Sequence, residues 1–489
     1  MSHGCGYGDL FKMTAHAFGA TRVLADLEQH LDEFLGSVAG IGQTKGLVSL
    51  TLPTPRIPVH RMPAVEEGAL FWAHPEEGCV RLGLGRAFVR EATGDDRIEQ
   101  LDAKLKRLSQ RWYHRDPSHT ALSPRAFTGF AFDPGDPMQS HWTGFPNAVL
   151  TVPSLLYETR GDACAVTFTG KAIRAVGDAD QMRGEWMRYA ATLFDGPPTV
   201  HDADVSKSAL QVVSGLDRRV WEDRVSEAVA AIRAGTFDKV VLSRRARVEG
   251  RGIRVTPEIL EGLAGLNPGR VQFAVTMGGS TLFGSSPEHL VSFRGGTVWS
   301  DAVAGTRLFP AKTAAQDRIS AFAQDAKTRW EQTLVVDAIA AALRSCCRDV
   351  HHAPEPSVVR FARMGHLWTR IAGKPRNGVS LLELASALHP TPAVGGSPSR
   401  PAIDWLERHG EESRGWYTGA IGWIDLAGCG TLSVVLRCAL VQGSAADIFA
   451  GAGIVEGSEP RAEFEETQWK LRSMLEVLGV TDVEPANGA

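Results

Sequence analysis

From Trp221 onward, apolar residues recur at Val225, Ala228, Val229 and Ile232, a three-to-four spacing that predicts a helix with one buried face. It leads into Lys239-Val-Val-Leu-Ser-Arg, whose β-branched content predicts a buried strand. The same rhythm predicts a helix over about Arg318 to Cys346 and a last one over about Pro460 to Leu478. The last helix has Ser458 as N-cap, proline in its first turn and Gly479 just past its end. Between them, Gly415 to Val455 reads as three strands joined by the turns DLAGCG and QGSAAD. Earlier in the chain GLVSLTLP, AVLTVPSLLYE and ACAVTFTG are strand-like. Strands and helices mix without strict alternation, which argues for an α+β fold rather than a doubly wound parallel sheet. The stretch 196–208 (GPPTVHDADVSKS) is the most linker-like, and it separates an N-terminal half (1–205) from a C-terminal half (206–482).

Composition narrows the class. A chain of 489 residues with 43% hydrophobic and 22% charged residues, and with 12 Trp and 20 Phe to fill an interior, is that of an ordinary soluble protein. A net charge of −4 argues against nucleic acid or an anionic membrane surface as partner. The N-terminus MSHGCGYGDLFKM has no basic n-region or apolar h-region, so no signal peptide is expected. The apolar runs around Asp337 and Arg437 are broken by those charges, so no membrane span is expected either. The 7 cysteines are scattered and form no CxxC pair, which predicts a reduced, cytoplasmic enzyme without disulfides or structural zinc.

Candidate chemistry sits in the C-terminal half. If the first turn of the meander centres on Ala427, Tyr417 lies opposite Arg437. If the second centres on Ala445, Arg437 also faces Gly453. Phenol, guanidinium and bare backbone in one row could bind a carboxylate, although an ordinary Arg–Tyr cross-strand contact gives the same register. Glu463 and Glu466 share a helical face, with Lys470 one turn on. Paired carboxylates suit Mg²⁺, but acidic residues in a first turn also simply complement the helix dipole. Lys327 and Glu331 are an i, i+4 pair, read as a solvated salt bridge. Glu288 could be an acid kept protonated by burial, and Lys239 a base whose pKa desolvation lowers. A strand-end glutamate and a surface lysine are the plainer alternatives. GAGIVEG (451–457) nearly matches a dinucleotide fingerprint, but its glycine spacing and its place in a meander argue against one.

In order and spacing, FDKVVLSR (237–244), SSPEHL (285–290), AGTR (304–307), GHLWTR (365–370), LHPTPAVGG (388–396), RGWYTGAIGWID (414–425) and AGAGIVEGSEPRAEFEETQWK (450–470) resemble the chorismate-utilising enzymes. That group includes isochorismate, salicylate, anthranilate and aminodeoxychorismate synthases. The resemblance spans roughly Trp221 to Gly479; FWAHPEEG and GFAFDP in the N-terminal half are similar to isochorismate synthases more loosely. It implies a single large fold of two facing, mainly antiparallel sheets with helices outside and the active site between them.

The resemblance also implies roles. Glu331, Glu463 and Glu466 would hold Mg²⁺ against the ring carboxylate of chorismate. Tyr417, Arg437 and the Gly453 amide would grip the enolpyruvyl carboxylate. Gly305, Thr306 and Lys470 would lie near the ring carboxylate and His366 near the ring, while Lys239 would be general base and Glu288 general acid. Ala393, where anthranilate and salicylate synthases resemble one another in carrying Thr, implies an isochorismate synthase whose product would feed menaquinone or siderophore synthesis. Gln332 replaces a histidine common after the metal-binding glutamate, and Tyr417 and Leu436 are similar to salicylate synthases, which implies a minor pyruvate-eliminating activity. A salicylate synthase is therefore the second reading. An inert chorismate-binding subunit would be expected to lack Lys239, Glu288 or a metal glutamate, and all are present. No glutaminase partner is expected, and a monomer or homodimer is.

Overall fold

The structure, a computed structural model, describes residues 20–41, 45–195, 210–215, 217–250, 253–266, 270–309, 316–361 and 364–480. The linker-like stretch 196–208 lies outside them. The described strands form two sheets, one of 13 strands and one of 10. Among them every pairing is antiparallel except that of Leu47–Pro53 with Trp112–Arg115. The fold is mixed α+β.

Both sheets draw on both halves of the chain. In the larger, Val271–Met277 pairs with Leu70–His74; in the smaller, Ala420–Asp425 pairs with Arg125–Phe130. A buried ion cluster ties the sheets together. Glu158 of the larger accepts at 2.8 Å from Arg81 of the same sheet and from Arg125 of the smaller, and both guanidinium groups lie about 4 Å from the Trp423 ring (4.1 and 4.2 Å). Removing one partner would strand buried charge, the costly way to break such a cluster.

The strand Lys239–Glu249 shows how period-2 alternation builds the site. Val240 and Leu242 point outward and pack with Trp221 and Val225 of helix Arg218–Arg233 and Phe464 of helix Pro460–Val477. Lys239 and Val241 point inward and line a cleft. Asp217 caps the first of these helices by accepting from the Arg219 amide. On the other side, helix Ala326–Cys346 covers the smaller sheet, with Val335, Ile339 and Leu343 packed against Val298, Ala302 and Ile371. No described helix is long and apolar enough to cross a membrane, and the six described cysteines are free thiols.

Three local expectations are corrected. The segment Gly415–Val455 is not one meander. Ala420–Asp425 and Gly430–Val434 belong to the smaller sheet, Cys438–Gln442 and Ala445–Ile454 to the larger, and the chain changes sheets between Val434 and Cys438. The first turn does centre on Ala427, since Ala420 pairs with Val434. The second closes between Gln442 and Ala445 rather than centring on Ala445, and Gly453 pairs with Val241, not Arg437. The predicted helix from Arg318 is two helices, Gln316–Ala323 and Ala326–Cys346, because Asp325 caps the second by accepting from the Thr328 amide at 3.0 Å. Ser458 is not the cap of the last helix. Glu459 holds that position, and the Ser458 hydroxyl accepts from the Val455 amide at 3.1 Å.

Candidate active site

The cleft between the sheets holds about 730 Å³ of space, counting its open mouth. Lys239, Glu288, Gly305, Glu331, His366, Ala393, Tyr417, Arg437, Gly453, Glu466 and Lys470 all line it. Glu463 stands one turn before Glu466 on helix Pro460–Val477 and is buried. Thr306 pairs with His366 across the smaller sheet, and its side chain lies outside the described residues.

Lys239 begins its strand with a side chain only 1% exposed, and its ammonium donates to Glu331 Oε1 at 2.8 Å. Gly453 makes that ion pair possible. A Cβ there would lie 2.8 Å from both the Glu331 oxygen and Lys239 Cε, closer than packing tolerates. Across the cleft, Glu288 is buried, and the Thr391 hydroxyl donates to its Oε1 at 3.4 Å. Burial pushes the Glu288 carboxyl up to about 7, against the opposing pull of Lys239 and the Thr391 hydrogen bond. A cleft with a buried cationic amine on one wall and a half-protonated carboxyl on the other can move protons in both directions at neutral pH.

The residues expected to bind the carboxylate converge by a different route from the expected row. Arg437 has a left-handed backbone (φ +47°) at the point where the chain changes sheets, and its side chain is 7% exposed. Burial pushes its guanidinium down to about 10, while Tyr417 and Glu466 hold it up. Tyr417 sits in a turn before the strand Ala420–Asp425, stacked on Phe449 with ring centroids 5.3 Å apart, and burial raises its phenol. The two meet in the cleft because the sheets face each other, not because their strands pair. Gly305 is a bulge residue (φ +63°), and a Cβ there would lie 2.3 Å from Thr328 Cγ2. His366 Nδ1 lies 3.1 Å from the Gly305 carbonyl, which only accepts, so Nδ1 carries the proton. Burial first, then Arg437 and Lys470, holds this imidazole neutral, well below its ordinary pKa.

The three glutamates come from two helices, and each is held by a lysine. Glu331 accepts from Lys239, Glu463 from Lys327 at 3.1 Å and Glu466 from Lys470 at 2.5 Å. The expected Lys327–Glu331 bridge is therefore not formed, because both partners find longer-range counter-ions. Burial and the neighbouring Glu466 charge push Glu463 up to about 7, with Lys327 opposing. With each carboxylate drawn to its own lysine, no group of three or more among the described residues is gathered tightly enough to hold a metal ion. The donor set nonetheless fits Mg²⁺ in kind: hard oxygen donors beside one cleft, two of them repelling each other on one helical face. Gln332 faces away from the cleft, donating to the Ala302 carbonyl and to Thr369 at 2.9 Å.

Thr391, Arg414, Phe449 and Lys327 carry parts of the site that the sequence reading did not assign. Arg414 donates to the carbonyls of Val394 (2.8 Å) and Val241 (2.5 Å) and so clamps the loop bearing Ala393 to the Lys239 strand. Thr391 and Arg414 stood inside quoted motifs, LHPTPAVGG and RGWYTGAIGWID, which was the available signal.

Comparison with known proteins places these features in one family. Residues 34–479 match the family model described as chorismate binding enzyme. The chain is 32% identical over 417 residues to the isochorismate synthase MenF of Bacillus subtilis, covering 84% of this chain and 87% of that one. It is 33% identical to the salicylate biosynthesis isochorismate synthase of Pseudomonas aeruginosa, covering 84% of each. Among solved structures, the menaquinone-specific isochorismate synthase MenF of Escherichia coli superimposes with a TM-score of 0.74 at 24% identity, covering 94% of this chain and 99% of that one. DhbC of Bacillus anthracis, described as a putative 2,3-dihydroxybenzoate-specific isochorismate synthase, gives 0.67 at 27% identity, covering 85% and 97%.

Proposed function

The chain belongs to the chorismate-binding enzyme family, and from that membership we propose that it is an isochorismate synthase, an isomerase that moves the ring hydroxyl of chorismate from C4 to C2. The observation that carries the reading is the opposition of Lys239 and Glu288 in one cleft, with Glu288 buried and near neutrality in pKa.

The residues divide the work. Lys239, once it has left Glu331 and given up its own ammonium proton to solvent, takes a proton from the water attacking C2. Glu288 gives its proton to the hydroxyl leaving C4, which departs as water while the ring double bonds shift. Hydroxide is a poor leaving group, so an acid still protonated at neutral pH is needed, and a carboxyl pushed up to about 7 supplies one. Arg437 and Tyr417 grip the enolpyruvyl carboxylate together with the Gly453 amide. Gly305, Thr306 and Lys470 lie toward the ring carboxylate, and neutral His366 toward the ring. Ala393 leaves room for the attacking water on the loop that Arg414 clamps. Glu331, Glu463 and Glu466 are the residues that would hold Mg²⁺, and the chemistry gained there is charge neutralisation at the ring carboxylate.

Purified protein incubated with chorismate and Mg²⁺, with products separated by chromatography, tests the assignment. Isochorismate as the product supports it. Salicylate with pyruvate instead would identify a salicylate synthase, and unchanged chorismate would refute both.

A further inference from the structure

Lys327 lies one turn before Glu331, yet its ammonium crosses to the other helix and donates to Glu463 Oε1 at 3.1 Å. The acidic groups facing it are, in order of effect, Glu463, Glu331 and Glu466, the same three carboxylates assigned to the metal. The three lysines at these carboxylates differ in access to water. The side chains of Lys239 and Lys470 are 1% and 15% exposed, whereas that of Lys327 is 41% exposed. Lys239 and Lys470 are also tied into the cleft, the latter by a second bond to the Gly451 carbonyl at 2.8 Å.

Resting on the metal reading above, we propose that Lys327 is the exchangeable counter-ion of the metal site: it neutralises the carboxylates while the cation is absent, swings into solvent when the cation enters, and thereby sets metal affinity. Carboxylates brought together without a counter-charge repel one another strongly in a partly buried site. An ammonium and a hard divalent cation compete for the same oxygens. A long lysine stem with an open path to water can yield its place with little rearrangement of the two helices. Lys327 is on this account a positioning residue, acting on the carboxylates rather than on substrate.

The test uses Mn²⁺ alone, without substrate, titrated into the full-length protein and followed by electron paramagnetic resonance of the free ion. Lys327→Met keeps the length of the stem and removes the charge. It is expected to bind Mn²⁺ at least about fivefold more tightly than wild type, the factor that matches loss of a partly exposed ion pair of about 1 kcal/mol. Its Tm should also rise more on adding a fixed Mn²⁺ concentration. Lys327→Arg, which keeps the charge, should bind no more tightly than wild type. Equal or weaker Mn²⁺ binding by Lys327→Met, while Glu463→Gln still abolishes binding, overturns the counter-ion role and leaves the metal reading standing. Mn²⁺ binding that is indifferent to Glu463→Gln overturns both.

Discussion

Glu288→Gln should cripple the enzyme and at the same time stabilise it, by an amount that grows as pH rises from about 4.5 to about 7. The carboxyl is 5% exposed, and its pKa is raised from 4.5 to about 7 by burial. A folded-state pKa above the unfolded one means that the native protein holds the proton more tightly. This contribution to stability is fully present below about pH 4.5 and is lost as pH rises through about 7. At 1.36 kcal/mol per unit the loss is about 3 kcal/mol, an order-of-magnitude figure for a buried group. Glutamine keeps the shape and can still accept from Thr391, but has no charge to desolvate. Wild type and variant should therefore melt together below about pH 4.5, differ by less than about 1 kcal/mol at pH 5, and reach the full difference, with the variant melting higher, at pH 8. For a chain this long unfolding as one unit, about 1 °C accompanies each kcal/mol, so the expected gap at pH 8 is about 3 °C. Taking the difference between the two proteins removes Glu463, which titrates in the same direction and range. The assay is thermal melting across pH 5–8.5, with turnover measured in parallel and expected to fall about 10²–10⁴-fold. A variant that is no more stable than wild type at pH 8, or one that gains equally at pH 5, refutes the claim that burial of this carboxyl raises its pKa.

Three further outcomes follow from the same geometry. Thr391→Val removes a hydrogen bond that favours the ionised form of Glu288, so the alkaline limb of the kcat profile should move to higher pH; a limb moving to lower pH would contradict the contact. Gly453→Ala forces a Cβ to within 2.8 Å of Glu331 Oε1 and Lys239 Cε, and kcat should fall at least about tenfold while stability changes by about 1–3 kcal/mol at most; full activity would mean that the ion pair can shift without consequence. Lys239→Ala should abolish turnover and lower Tm, because it leaves the Glu331 carboxylate, whose side chain is 14% exposed, without its partner; retained turnover would remove Lys239 from the role of base.

Most elements were legible in the sequence because they are written locally. Helical spacing at Trp221, Val225, Ala228 and Val229 appears as a helix buried on those residues, and the run from Lys239 appears as a strand. The motifs likewise carried the identities of the cleft residues. What local pattern could not carry was partnership. TLSVVLRCALV reads as one mostly apolar run interrupted by Arg437, so nothing in its rhythm marks a change of sheet before Cys438; the backbone turn at Arg437 does that, and it is visible only in three dimensions. Lys327 and Glu331 satisfy the helical spacing for a salt bridge, yet each is claimed by a residue about 90 to 140 positions away (92 and 136).

The amino-acid sequence by itself determined which side chains are available, acid, base, guanidinium and three glutamates, and the strands and helices that bear them. Only the tertiary structure decided which of them meet and in what solvent. Two sheets closing face to face withdraw Glu288 from water and bring Tyr417 to Arg437 without pairing their strands. Period and propensity act over a few residues, whereas desolvation and Coulomb attraction act between whatever the fold brings close.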